Sequence, residues 1–160
     1  MNLAIFQLAA CGLFQKNSLE QCSAEEINLL SSLRSTPLHY AIVGENEETV
    51  RYLVLRGALV NATNIYAESP LHWACKVGNL AIVRTLLQHK ACPHAVDADG
   101  NTTLHWAAEY NHEGVVLLLG EFADASLTST RNHDGFTPIQ LAKKNDSKGA
   151  LRSLRKLSRR

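Results

Sequence analysis

The chain has 160 residues, 46% of them apolar and 19% charged, with a formal net charge of +1. That is room for about one domain with an ordinary globular core, and it excludes collagen-like, disulfide-stapled and most disordered classes. No run of about 18 apolar residues reads as a membrane span, and no overall basic field marks a nucleic-acid binder. The charge is uneven, however: residues 143–160 carry eight basic residues against Asp146 alone, a net +7, which leaves −6 on residues 1–142.

Residues 1–14 (MNLAIFQLAACGLF) are apolar and include Leu8-Ala9-Ala10-Cys11, a string like a lipoprotein cleavage box. A signal peptide needs positive charge near its start, and no Lys or Arg precedes Lys16. The segment therefore reads as a helix over residues 5–12, with a second helical or irregular stretch over 24–33. Beyond it, Thr36-Pro37-Leu38-His39 recurs as Ser69-Pro70-Leu71-His72, then Thr102-Thr103-Leu104-His105, then Thr137-Pro138-Ile139-Gln140. The steps are 33, 33 and 35 residues, and an alanine follows each tetrad at one offset: Ala41, Ala74, Ala107 and Ala142. Thr36, Ser69 and Thr137 suit a helix N-cap, and Pro37, Pro70 and Pro138 suit the first helical position. Apolar pairs such as Ile82-Val83, Val115-Val116 and Leu86-Leu87 predict a second helix in each unit. Gly57-Ala58 and Lys90-Ala91 close it, Gly57 through a positive φ. Asp99-Gly100 and Asp134-Gly135 supply tight turns before the next tetrad.

This pattern resembles the ankyrin repeat, clearly over residues 34–155 and in degraded form over 3–33. The resemblance implies an all-α solenoid of helix-turn-helix units with β-turn or hairpin fingers, a single domain stabilised by contacts between neighbours. Full repeats are expected at 34–66, 67–99 and 100–134. They lie between a degenerate capping repeat at 1–33 and a C-terminal capping repeat with a basic tail at 135–160. Arg34 and Ala67 stand where the turn glycine is expected, which predicts less regular fingers there, and Thr103 replaces the proline. The third unit loses about one residue near Gly120 and gains about three before Asp134, predicting an extended polar finger over 124–133 on the binding side.

Cys11, Cys22, Cys75 and Cys92 form no CxxC pair and no His/Cys cluster. They are expected as buried reduced thiols of an intracellular protein, cytoplasmic with the nucleus also open. His39, His72 and His105 invite a catalytic or metal reading, but the repeat puts each in its own unit. Their expected role is to bond backbone or hydroxyl groups at their own helix start and pin one finger to the next. No phosphate cradle or nucleophile elbow occurs, so no enzyme activity, cofactor, metal or small-molecule substrate is expected.

Residues three and four apart share a helix face, which puts Tyr40, Trp73 and Trp106 in one column. Ankyrin stacks as a family bind protein partners on a concave face made of finger tips and first helices. Carried onto this sequence, the finger tips are Ser32, Leu33 and Ser35, then Ile65, Tyr66 and Glu68, then Ala98, Asp99 and Asn101, then His133, Asp134 and Phe136. The partner-binding set so implied is Ile65, Tyr66, Glu68, Trp73, Lys76, Asp99, Asn101, Trp106, Glu109, Tyr110, His133 and Phe136. The tryptophans either cover the seams between units or floor a groove, and both readings stay open. Glu68, Asp99 and Glu109 favour a partner segment with basic and apolar residues. Asn61 resembles the asparagine that hydroxylases modify in some ankyrin proteins; its alternative role is to bond its own backbone.

The leading functional expectation is a monomeric, non-catalytic adaptor, inhibitor or scaffold for a protein or peptide of unknown identity. The alternative is the substrate-recruitment region of a larger enzyme. Leu71-His72-Trp73-Ala74 and Leu104-His105-Trp106-Ala107 look like strings in the ankyrin portion of DHHC-type palmitoyltransferases, although nothing in these residues carries that chemistry. The basic tail reads as a solvated helix cap rather than a dock for nucleic acid or anionic membrane, since cations near a helix C-terminus are stabilising by roughly 0.3–1 kcal/mol each.

Overall fold

Several helices begin where capping side chains put them. The computed structural model describes residues 3–11 and 23–158, and the chain enters with α1 (Leu3–Cys11) and the single turn α2 (Ala24–Ile27), which Ser23 caps. Three helix pairs follow: α3 (Pro37–Val43) with α4 (Glu47–Leu55), α5 (Pro70–Val77) with α6 (Leu80–Gln88), and α7 (Thr103–Glu109) with α8 (Glu113–Phe122). After the short α9 (Ser126–Ser129), α10 (Pro138–Lys144) and α11 (Lys148–Leu157) complete the order. Thr36, Ser69, Thr102 and Thr137 all hold extended backbone as N-caps, and three of those helices carry proline in the first turn. In the second helices, Asn46 accepts from the Thr49 N–H at 2.8 Å and Asn79 from the Ile82 N–H at 3.2 Å.

The first helices α1, α3, α5, α7 and α10 touch one another in succession, and so do the second helices α4, α6, α8 and α11. The alanines after the tetrads explain how closely the first row packs. Ala41, Ala74, Ala107 and Ala142 have no exposed surface, so any larger side chain there would push two helices apart. Leu38, Leu71 and Leu104 lie beside them, joined to Val50, Leu53, Val83, Leu86, Val116 and Leu119 of the second row in one continuous core. Ala9 of α1 belongs to it as well, and a Cβ on Gly44 would overlap the Ala10 carbonyl oxygen. The first described helix thus packs on the stack as the other first helices do. At the other end Ala150, Leu154 and Leu157 of α11 are buried, while Arg152 reaches back to Glu113 at 3.2 Å.

Four fingers share one backbone path, which overturns the expectation of irregularity at Arg34 and Ala67. These two residues take φ of 59° and 58°, beside 75° and 81° at Gly100 and Gly135. The same bond closes every turn: Ser31 N–H to Ser35 O, Asn64 N–H to Glu68 O, Asp97 N–H to Asn101 O and Asn132 N–H to Phe136 O. A side-chain template imposes the path. Asn64 Oδ1 accepts from the Tyr66 and Glu68 N–H groups at 2.9 and 3.0 Å, and Asp97 Oδ1 accepts from Asp99 and Asn101 at 2.9 and 2.8 Å. Ser31 and Asn132 do the same for Ser35 and Phe136. These bonds offset the roughly 1–2 kcal/mol that a left-handed residue with a Cβ costs. The fingers are turns rather than hairpins: among the described residues the Val96–Thr102 pair is an isolated bridge. Ser35, expected at a tip, is buried.

The insertion in the third unit also differs from expectation. Gly57 and Lys90 close α4 and α6 with φ of 91° and 67°, but Ala123 after α8 is extended, and the chain runs on into α9. There Leu127 is buried in the core cluster and borders a hollow together with Leu104, Gly120 and Leu157. The segment carries a short helix with one buried leucine rather than a wholly polar loop. The cysteines need a correction too. Cys75 is buried, and burial pushes its thiol pKa up, but Cys11 and Cys92 are exposed; Cys22 lies outside the described residues. Among the described residues no helix is long and apolar enough to cross a membrane.

Replacing Ala67 with glycine keeps the template and removes the left-handed strain. The expected outcome is a gain of about 1 kcal/mol in unfolding free energy, read from urea denaturation, with an unchanged helical circular dichroism spectrum.

Candidate functional site

Three imidazoles place the fingers over the helices. His39 Nδ1 accepts from the Thr36 N–H at 3.1 Å, so the ring proton sits on Nε2, which donates to the Glu68 carbonyl of the next finger at 3.2 Å. His72 repeats this between Ser69 N–H and Asn101 O, at 3.1 Å each. His105 repeats it between Thr102 N–H and Phe136 O, at 3.1 and 2.9 Å. The expected structural role of these histidines holds. Among the described residues no group of three or more His, Cys, Asp or Glu is placed to hold a metal ion. In the last unit Gln140 Oε1 accepts from the Thr137 N–H at 2.9 Å. A second backbone link joins the fingers directly: Ile65 N–H to Leu33 O, Ala98 N–H to Tyr66 O, and His133 N–H to Asp99 O.

With the fingers fixed, their tips and the first helices enclose a cup. It is lined by Tyr66, Glu68, Asp97, Ala98, Asp99, Asn101, Trp106, Glu109 and Tyr110, seven of which belong to the partner-binding set that the resemblance implies. A neighbouring hollow shares Asp99, Asn101 and Glu109 and adds His133, Asp134 and Lys144. Trp106 is only 9% exposed, and its indole N–H donates to Asp97 Oδ2 at 2.7 Å. Trp73, half-buried, donates to Glu68 Oε2 at 2.8 Å. The ring edges pack on the preceding unit's histidines, Trp73 on His39 at 5.1 Å and Trp106 on His72 at 5.7 Å between centroids. The seam-covering reading therefore describes both tryptophans, and Trp106 lines the cup as well.

The other singled-out residues fall around this cup. Lys76 Nζ lies 5.7 Å from the Trp106 ring centre and 5.4 Å from that of Tyr110. Phe136 sits under Lys144 Nζ at 4.6 Å, and Ile65 is half exposed at its tip. Asn61 does not bond its own backbone: it takes the Cys92 N–H at 2.9 Å and donates to Lys90 O at 3.0 Å, tying two units together. Asn28 does the same to Leu59 and Gly57 one unit earlier. Asn64, Asp97 and Asn132 set the finger shape, a role that the sequence reading does not assign to them. Their signal was present, since they recur at the same spacing as the tetrads.

A family model for ankyrin repeats (3 copies) matches residues 5–97 and 57–130, and the fold just described has the same units. The chain belongs to the ankyrin-repeat family. Members of this family are generally protein–protein interaction modules that bind protein partners, and they are typically non-catalytic. No curated protein matches the sequence.

Burial pulls the His39 pKa from 6.5 down to about 4, against the raising effect of the Glu68 carbonyl and carboxylate. Burial pulls His72 and His105 down as well. A depressed histidine pKa means the unfolded chain binds the proton first, so the histidine-linked stability is fully present above pH 6.5 and falls as the pH drops toward 4. At pH 5 the loss from His39 alone is on the order of 2 kcal/mol. Urea denaturation of wild type and His39→Gln at pH 7 and pH 5 checks this: the variant, with the acceptor that Gln140 uses, shows a smaller pH dependence.

Proposed function

We propose that this chain is a non-catalytic adaptor-type module that holds an extended protein or peptide segment along the flank formed by fingers and first helices. Tyr66, Glu68, Asp99, Asn101, Trp106, Glu109 and Tyr110 form the centre of the contact, with Ile65, Trp73, Lys76, His133 and Phe136 around it. The observation that carries this reading is the convergence of Tyr66 and Tyr110, 52% and 41% exposed, on one cup with uncovered carboxylates. Tyrosines at such positions fill no core, and aromatic anchors in a pocket supply most of the binding energy at interfaces. The acidic rim favours a segment with basic and apolar side chains.

The test uses the paired substitution Tyr66→Ala and Tyr110→Ala. Trp106 is unsuitable, because a nearly buried, hydrogen-bonded indole costs about 3–5 kcal/mol of stability when truncated. The double variant keeps the wild-type circular dichroism spectrum, and capture of the principal wild-type partner from native extract falls at least about tenfold. Undiminished capture by a folded double variant overturns the site assignment.

A further inference from the structure

The rings of Trp106 and Tyr110 meet at 6.2 Å between centroids with their planes 41° apart, forming an open notch at the side of the cup. A cation already occupies it. Lys76 extends from α5 of the preceding unit and lays its ammonium over both rings. Its own surroundings give it no other strong tie, since it makes no ion pair among the described residues. Cations gather over tryptophan and tyrosine faces because the ring quadrupole is negative there.

The carboxylates nearby divide into two kinds. Asp97 is used up inside the protein by the Asp99, Asn101 and Trp106 donors. Glu68 takes the Trp73 indole and the Asn64 amide. Asp99 and Glu109, both exposed, have side chains that accept no bond among the described residues, and both line the cup beside the notch. A group entering here meets two aromatic faces and two uncommitted carboxylates. The planar guanidinium fits both, stacking on a ring while its fork of donors meets carboxylate oxygens; an ammonium offers a point charge only.

We propose that the Trp106–Tyr110 notch is a cation subsite that Lys76 fills in the free protein and that an arginine side chain of the partner takes over. This rests on the partner-binding reading above and adds the residue type that the flank selects. Lys76 then acts as an internal competitor: it keeps the notch from collapsing or taking up stray apolar groups, and its flexible stem lets it swing into solvent when the better-matched guanidinium arrives. The apparent affinity for the arginine is lowered by the fraction of molecules in which Lys76 is seated.

The experiment titrates the full chain with N-acetyl-arginine N-methylamide and follows the two indole N–H signals by NMR. The chain has two tryptophans, so Trp73, bonded to Glu68, is the internal control. Capped arginine moves the Trp106 signal and leaves that of Trp73, whereas capped citrulline, neutral and of the same shape, moves neither. Lys76→Met, an exposed substitution, tightens the arginine response about two- to fivefold, and Asp99→Asn with Glu109→Gln weakens it. An unmoved Trp106 signal, an equal response to citrulline, or a Lys76→Met variant that binds no more tightly overturns the proposal. An equal response to capped lysine overturns the choice of arginine. Partner capture by the Tyr66→Ala, Tyr110→Ala variant separates the two readings: if it is lost while the arginine titration is silent, the protein-binding reading stands and the cation subsite falls.

Discussion

The neutral imidazole of His39, and of His72 and His105 after it, joins two levels of the stack, and the rest of the architecture depends on that join. Each ring accepts on Nδ1 from the cap of its own helix and donates from Nε2 to a carbonyl in the next finger. Both nitrogens are committed in opposite senses, so only the uncharged tautomer fits, and burial enforces it by outweighing the nearby Glu68 and Asp97 carboxylates. Each ring is fully buried, so breaking either bond leaves a polar atom with no water to replace its partner. The join ends in the last described unit. Gln140 stands in the histidine position there and retains only the local half of the device, accepting from Thr137.

That wiring explains why the fold was legible in the sequence. Tetrads, alanines and the Gly57 closure recur because each performs the same local task in every unit, and periodicity exposes a task without need of long-range information. The misreadings come from residues whose role depends on a neighbour. Arg34 and Ala67 looked like faults because glycine is the usual answer to a positive φ. The actual determinant is the acceptor three residues earlier, Ser31 or Asn64, which fixes the turn whatever occupies the strained position. Leu127 looked like part of a polar loop because six polar residues surround it in sequence. Its burial depends on the space left where α8 ends beside Leu157, which no local pattern reveals.

The candidate site was legible to a different degree. Helical spacing put Trp106, Glu109 and Tyr110 on one face, and the repeat register put Tyr66, Asp99 and Asn101 at the tips; the fold brings these six together. Their individual standing was not legible. Trp73 and Trp106 share a register position, yet one is half-buried and the other nearly covered, because their indoles find different acceptors: Glu68 at the end of a finger and Asp97 at its base. The side chain chosen at the finger decides how far the ring leans into the cup.

The same bonds govern how the cup would meet a ligand. An indole held by its N–H to a carboxylate that is itself held by two backbone amides, as Trp106 is through Asp97, has no freedom to reorient. The aromatic floor is therefore set during folding, and binding spends little entropy on ordering it. Mobility is left to the exposed side chains, Lys76 above the rings and Asp99 and Glu109 at the rim. Under the proposed binding reading, specificity would depend on what displaces or pairs with those three, with the floor as a constant apolar contact. On that reading, substitutions at the rim would alter partner choice without disturbing the stack, because among the described residues none of those three side chains takes part in the hydrogen bonds that join one unit to the next.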